Sequence, residues 1–154
     1  MPTLVIVRHA QAEPSHGDDH SRVLSARGIA DCVHLGHWLR EAGVRPDRVL
    51  VSTALRTRQT WEFAGVDGAG AIYADGVYDA SLPDLLTLIH QTPGDVQTLV
   101  VVGHAPGVSD LVWSLDNSPA AREWTDRGMG TAAAALVEVA SWADLERARL
   151  VRHT

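Results

Sequence analysis

Three short apolar runs each end at residues suited to chemistry on an anion. Leu4-Val5-Ile6-Val7 stops at Arg8-His9. Val49-Leu50-Val51 is followed by Ser52, with Arg56 one helical turn later. Thr98-Leu99-Val100-Val101-Val102 leads into Gly103-His104-Ala105-Pro106. The planar fork of an arginine grips phosphate oxygens in pairs. A neutral imidazole can attack phosphorus. Two histidines and two arginines in one place would have the electrostatics of a site for a doubly charged tetrahedral anion.

For these residues to meet, the three runs must be neighbouring strands. Continuous apolar runs bounded by polar residues mark strands buried on both faces. Between them the pattern turns helical. Ser25 reads as an N-cap, and Ile29, Cys32, Val33, Gly36 and Leu39 follow at helical spacing until Gly43. A second helix is predicted over 55–64, ending at Gly65. Residues 71–73 read as an edge strand. Ser81 caps a third helix with Leu82, Leu85, Leu86 and Ile89 on one face. A fourth begins near Pro106, which suits a first helical turn, and carries Val108, Leu111, Val112 and Leu115. Residues 10–23 and 116–130 read as irregular. Two final strands are predicted over 132–139 and 149–151, joined by a turn or short helix around 142–146. Repeated strand–helix alternation implies a three-layer α/β/α sandwich with a mostly parallel central sheet. In such sheets ligands bind outside the carboxyl ends of the strands, where Arg8, His9, Ser52 and His104 stand. Helix N-termini point there too and add partial positive charge.

The chain has 154 residues, which suits a single domain over 1–154. With 45% hydrophobic and 21% charged residues it has the composition of a globular protein. All 13 basic residues are arginine, and 19 acidic ones bring the net charge to −6. That balance argues against general nucleic-acid binding, which needs a basic footprint. The single cysteine, Cys32, rules out an internal disulfide and a cysteine-rich zinc module. No apolar run approaches the roughly 20 residues of a membrane span. The segment before Arg8 lacks a basic leader and a cleavage site, so a strand and a cytoplasmic protein are expected.

Val7-Arg8-His9-Ala10, the stretch Ser52-Thr53-Ala54-Leu55-Arg56-Thr57-Arg58-Gln59-Thr60 and Val102-Gly103-His104-Ala105-Pro106 resemble the three signatures of the histidine phosphatase superfamily, the clan of the phosphoglycerate mutases. The short length, Arg22-Val23-Leu24-Ser25-Ala26-Arg27-Gly28 and Val77-Tyr78-Asp79-Ala80-Ser81 are similar to its SixA-type phosphohistidine phosphatases. The resemblance implies a phosphoglycerate mutase-like fold without a cap domain, and no cofactor or metal. It implies that His9 is the nucleophile, transiently phosphorylated. Arg8 and Arg56 would hold the phosphoryl oxygens, and His104 would stabilise the charge of the transition state. Ala10 and Thr53 depart from the commoner Gly and Pro of the clan. Larger members supply a glutamate as proton donor from beyond the second helix. Here the nearest acids are Asp75 and Asp79, and Asp79 is the better candidate donor. Phosphohistidine has an imidazole leaving group, which needs a positioned acid less than an alkoxide does.

The expected reaction is metal-independent removal of phosphoryl groups from protein histidine. The alternatives are a phosphatase of small phosphomonoesters, or a phosphate-binding module without turnover. The expected partners are a phosphorylated protein or a small phosphorylated substrate, with no nucleic acid and no membrane. The chain is expected to be a monomer. The neighbouring arginines should lower the pKa of His9 from about 6.5, keeping it neutral near pH 7. His16-Gly17-Asp18-Asp19-His20 has metal-ligand residue types but reads better as a mobile loop, or a flap over the site mouth. His34 and His37 share a helix face without a third ligand and read as solvated or partly packed. Arg58 reads as a surface arginine, and the five tryptophans as packing residues.

Overall fold

The computed structural model describes residues 1–154. Its elements are β1 (Thr3–Arg8), α1 (Ala26–Glu41), β2 (Arg48–Ser52), α2 (Leu55–Ala64), β3 (Ala71–Ala74), α3 (Leu82–His90), β4 (Thr98–Gly103), α4 (Gly107–Leu115), α5 (Pro119–Thr125), β5 (Ala134–Glu138) and β6 (Arg149–His153). The six strands form one sheet in the order β3-β2-β4-β1-β5-β6. β3, β2, β4 and β1 run parallel, and β5 runs antiparallel to both its neighbours. The sheet is mostly parallel, as expected.

Alternation along the strands sorts the core into two layers. Leu4, Ile6, Leu50, Leu99 and Val101 face α3 and α4, meeting Leu85, Ile89, Val108, Leu111 and Val112. Val5, Val7, Val49, Val51, Val100 and Val102 face α1 and α2, meeting Leu35, Leu39, Trp61 and Ala64. Both faces of the central strands are covered, which is why their sequences are continuously apolar rather than alternating. No helix is long and apolar enough to cross a membrane.

The details differ from the sequence reading in three places. On α1 the buried residues are Gly28, Cys32, Leu35, Gly36 and Leu39, while Ile29 and Val33 are exposed. The face is set by how closely α1 approaches α2: a Cβ on Gly36 would strike the Ala64 carbonyl. Within the predicted irregular stretch, Ser118 caps α5, accepting from the Ala121 N–H, with Pro119 in the first turn. Seven residues are too few to display an apolar period. Of the turn or short helix expected at 142–146 the structure has the turn, anchored by buried Trp142, whose Nε1 donates to the Val96 carbonyl at 2.8 Å. The last two strands have shifted ends, with β5 starting at Ala134 and β6 running on to His153.

Register then places the chemistry. Arg8 pairs with Gly103, and Val51 with Val102, so Arg8-His9, Ser52 and His104 leave the sheet at one rim. Gly107 opens α4 against residues 79–81; a Cβ there would meet the Ala80 carbonyl. That close approach brings Tyr78 and Asp79 to the same rim.

Candidate active site

His9 lies one residue beyond β1 but is still held by the sheet. Its N–H donates to the Gly103 carbonyl and its own carbonyl accepts from the Ala132 N–H, both at 3.0 Å. Its Nδ1 lies 2.7 Å from the Ala10 carbonyl. A carbonyl can only accept, so Nδ1 carries the proton and Nε2 keeps its lone pair. Ala10 is fixed in turn by α2: its N–H donates to Thr60 Oγ1 at 2.9 Å, and Thr60 Oγ1 donates to the Arg56 carbonyl.

The His104 ring centroid lies 5.3 Å from that of His9. Arg56 Nη2 is 3.2 Å from His104 Nδ1, and Ser52 Oγ is 2.7 Å from His104 Nε2. A guanidinium only donates, so in this arrangement Nδ1 accepts and Nε2–H donates to Ser52. Both rings are held neutral. Burial, assisted by Arg56, Arg8 and Arg22, lowers the pKa of His9 to about 4 against the opposing hydrogen bond to Ala10. Burial, then Arg56 and His9, lowers that of His104 to about 3. The arginines act in the predicted direction, but burial is the larger cause.

Arg56 is itself buried, and Arg8 is partly so. Arg8 Nη1 donates to the Met129 carbonyl at 2.7 Å, and burial lowers its pKa. The Nε of each guanidinium is buried with no partner in the protein. Buried donors are normally satisfied, so two unpaired ones beside two histidines fit a site for an anion.

The structure brings His9, Arg56 and His104 into one cluster and sets Arg8 beside it. Asp79, at a positive φ of 52°, lines an open cleft of about 270 Å³ with His104, Pro106, Gly107 and Asp110. A larger groove of about 570 Å³ lies between α3, α4 and residues 143–146, away from this rim. Arg58 lies outside the cluster, its guanidinium 4.5 Å over the exposed Tyr73 ring. His34 and His37 are exposed on α1. Trp124 stacks on His153 rather than facing the site.

Asp19, His20 and Tyr78 complete the mouth. The loop that carries the first two closes at a neck: Ala12 bridges Leu24, the Glu13 N–H donates to the Val23 carbonyl at 2.8 Å, and the Leu24 N–H donates to Gln59 Oε1 at 2.8 Å. Beyond the neck, Arg56 Nη1 donates to the Asp19 carbonyl at 2.9 Å and Nη2 to Asp19 Oδ2 at 3.1 Å. Tyr78 Oη donates to Asp19 Oδ2 at 2.7 Å. Thr53 Oγ1 donates to Asp75 Oδ1 and accepts from His20 Nε2. The Tyr78 ring stands edge-on to both His20 and His104. The flap-like reading of this loop thus has a structural counterpart. No three His, Cys, Asp or Glu side chains converge here or elsewhere as a metal-binding group. Sequence reasoning missed Asp19 and Tyr78 as site residues; the only signals were a polar loop and a tyrosine beside the candidate donor.

Residues 4–76 match the model of the histidine phosphatase superfamily, branch 1. An uncharacterized protein of Mycobacterium tuberculosis is 39% identical over 146 residues, covering 91% of this chain and 92% of that one. The structure of a chain from Nakamurella multipartitia, provisionally assigned as phosphohistidine phosphatase SixA, superposes with a TM-score of 0.86 at 32% identity. It covers 99% of this chain and 95% of that one. The structure of a protein histidine phosphatase SixA complexed with tungstate superposes with a TM-score of 0.82 at 25% identity, over 99% and 96% of the two chains.

Proposed function

The chain belongs to the histidine phosphatase superfamily, in its SixA-type branch, and on that footing we propose that it removes phosphoryl groups from protein histidine through a phospho-His9 intermediate. One observation carries the reading. His9 is a neutral imidazole with Nδ1–H tied to the Ala10 carbonyl and Nε2 free, facing a second neutral histidine within a cluster of guanidinium groups.

The steps follow from that geometry. Arg8 and Arg56 take the oxygens of the phosphoryl group. Nε2 of His9 attacks phosphorus, a new N–P bond forms, and the bond to the leaving imidazole breaks. The leaving nitrogen takes its proton from solvent, which an open rim admits. Water then attacks phosphorus, the bond to His9 breaks, and phosphate leaves with His9 neutral again. The Ala10 carbonyl stabilises the positive charge that the His9 ring carries while phosphorylated. The Ser52 hydroxyl can accept from or donate to His104 Nε2. When Arg56 turns to the phosphoryl group, Ser52 can donate, leaving Nδ1–H of His104 to stabilise the developing charge. No step calls on a metal or cofactor. The open cleft beside His104 suits a side chain presented on another protein.

Brief incubation with a phosphohistidine protein should label His9 with acid-labile, base-stable phosphate, located by mass spectrometry after rapid quench. Label on Ser52, or turnover with no labelled residue, would overturn the covalent route. Turnover against a panel of phosphomonoesters that exceeds turnover on phosphohistidine would favour the small-molecule reading.

A further inference from the structure

We propose that Asp19 is a positioning residue of this site, an internal anion that holds Arg56 and competes with the phosphoryl group for it. The proposal rests on Arg56 as the phosphoryl ligand proposed above.

The two partners differ sharply in exposure. The Arg56 side chain is 6% exposed, and that of Asp19 is 48% exposed. A guanidinium removed from water needs a counter-anion, because an unpaired buried charge is costly. Asp19 supplies it through the carboxylate on Nη2, and its neutral main-chain carbonyl accepts from Nη1. The same Nη2 reaches His104 Nδ1, so the carboxylate stands at the ligand-facing edge of the guanidinium. Tyr78 Oη donates to the same Oδ2 at 2.7 Å, and Arg22 Nη1 holds the other oxygen, Oδ1, at 3.3 Å. The Tyr78 hydroxyl foremost, with Arg22 and Arg56, keeps the Asp19 pKa at about 2, so it is an anion at any ordinary pH. In this arrangement it has no proton to give as a general acid.

The exchange is feasible because the carboxylate is already half in water. When a phosphoryl dianion takes Arg56, Asp19 can rehydrate while Arg56 keeps a counter-charge. A tethered competitor acts at a high effective concentration, on the order of millimolar for a short link. It therefore weakens every anion that takes Arg56, whatever else that ligand touches. Asp19 thereby keeps inorganic phosphate from lingering and speeds release of the product.

The test is Asp19→Asn, which keeps the shape and the hydrogen bond from Tyr78 but removes the charge. The inhibition constant of inorganic phosphate should fall about tenfold, and the KM for p-nitrophenyl phosphate should fall with it. The KM for a phosphohistidine protein should fall by a similar factor, because both substrates displace the same carboxylate. Tyr78→Phe, which releases one hold on the carboxylate, should tighten phosphate about threefold. Mere loosening of the loop would not tighten an anion. Unchanged or weaker phosphate binding in a folded Asp19→Asn protein overturns the proposal. Arg56→Ala separates the two readings. It should weaken phosphate more than tenfold, and if it does not, Arg56 is not the phosphoryl ligand and the site assignment itself falls.

Discussion

The two ends of the parallel strands treat polar side chains in different ways. Where β2 and β4 begin, side chains are bound to the main chain. Asp47 Oδ2 accepts from the N–H groups of Gln97 and Thr98, both at 2.9 Å. Trp142 Nε1 donates to the Val96 carbonyl. Where the same strands end, His9 and Arg8 keep main-chain partners, but side chains also bind one another, in the chain Tyr78–Asp19–Arg56–His104–Ser52. A main-chain partner is exchanged only by unmaking a turn. A side-chain partner can be displaced by a ligand while the fold stands. One rim is built to hold, and the other to be rearranged.

Crossing two substitutions tests this division most sharply. His9→Ala should lower turnover by at least about 10⁴-fold and leave the melting temperature within about 2 °C of wild type. Asp47→Ala should do the reverse, costing about 1–2 kcal/mol, or roughly 3–6 °C in Tm, with kcat/KM unchanged. Thermal melts and turnover on one phosphohistidine substrate measure both. A Tm loss in the first as large as in the second would erase the distinction.

A smaller effect concerns pH. The His9 pKa of about 4 means that its Nε2 lone pair survives well below the ordinary histidine range. Single-turnover phosphorylation should stay flat from pH 8 to about 5 and fall only towards pH 4. An unperturbed nucleophile would already be half lost near pH 6.5. The same shifts bear on folding. Below about pH 6.5 the unfolded chain protonates these two histidines, while the folded one does not until about 4 for His9 and about 3 for His104. The unfolded state binds more protons in that window, so stability declines as pH falls through it. The urea midpoint should be lower at pH 5 than at pH 7, and the gap should shrink in His104→Asn.

How much of this was legible in the sequence divides along the same line. Leu4–Val7 and Leu99–Val102 are apolar because both faces of a central strand are buried. That pattern gave the sheet, and the residues after it gave Arg8, His9 and His104. Arg56 needed the neighbouring motif as well, since a helix arginine alone is ordinary. Asp19 stood in the polar loop read as a flap, but nothing in the sequence tied it to Arg56. Its partner is 37 residues away, and only the path of the loop, pinned at Gln11–Glu13 and Val23–Ser25, brings the two together. Ile29 and Val33 misled for a related reason. The inner face of α1 is chosen by the Gly36–Ala64 approach, a tertiary contact that outweighs apolar spacing. Burial of the His9 ring is tertiary too, so the adjacent arginines were visible and the larger cause was not.

The smallest expected effect belongs to Asp79, which is exposed and lines the cleft beside His104. Asp79→Asn should lower kcat/KM on phosphohistidine by less than about threefold, and on an aryl phosphate by about tenfold, below the 10²–10⁴ of a fully positioned acid. Equal, large losses on both substrates would make Asp79 a general acid for every reaction. No loss on either would remove it from the site.

The neck of the loop has a consequence for how such a protein can change. Ala12 bridges Leu24, and Gln59 of α2 holds the Leu24 N–H, so the chain has returned to the body of the protein before and after residues 14–22. His9 is fixed by Gly103, Ala132 and Ala10, none of which lies in that excursion. Insertions, deletions and new side chains between the two ends of the neck leave the nucleophile where it is. The excursion can vary in length without moving the nucleophile, but it carries Asp19 and Arg22, so a change there reaches the reaction through the hold on Arg56. Grafting the corresponding loop from a relative onto this chain would be the laboratory version of such a change.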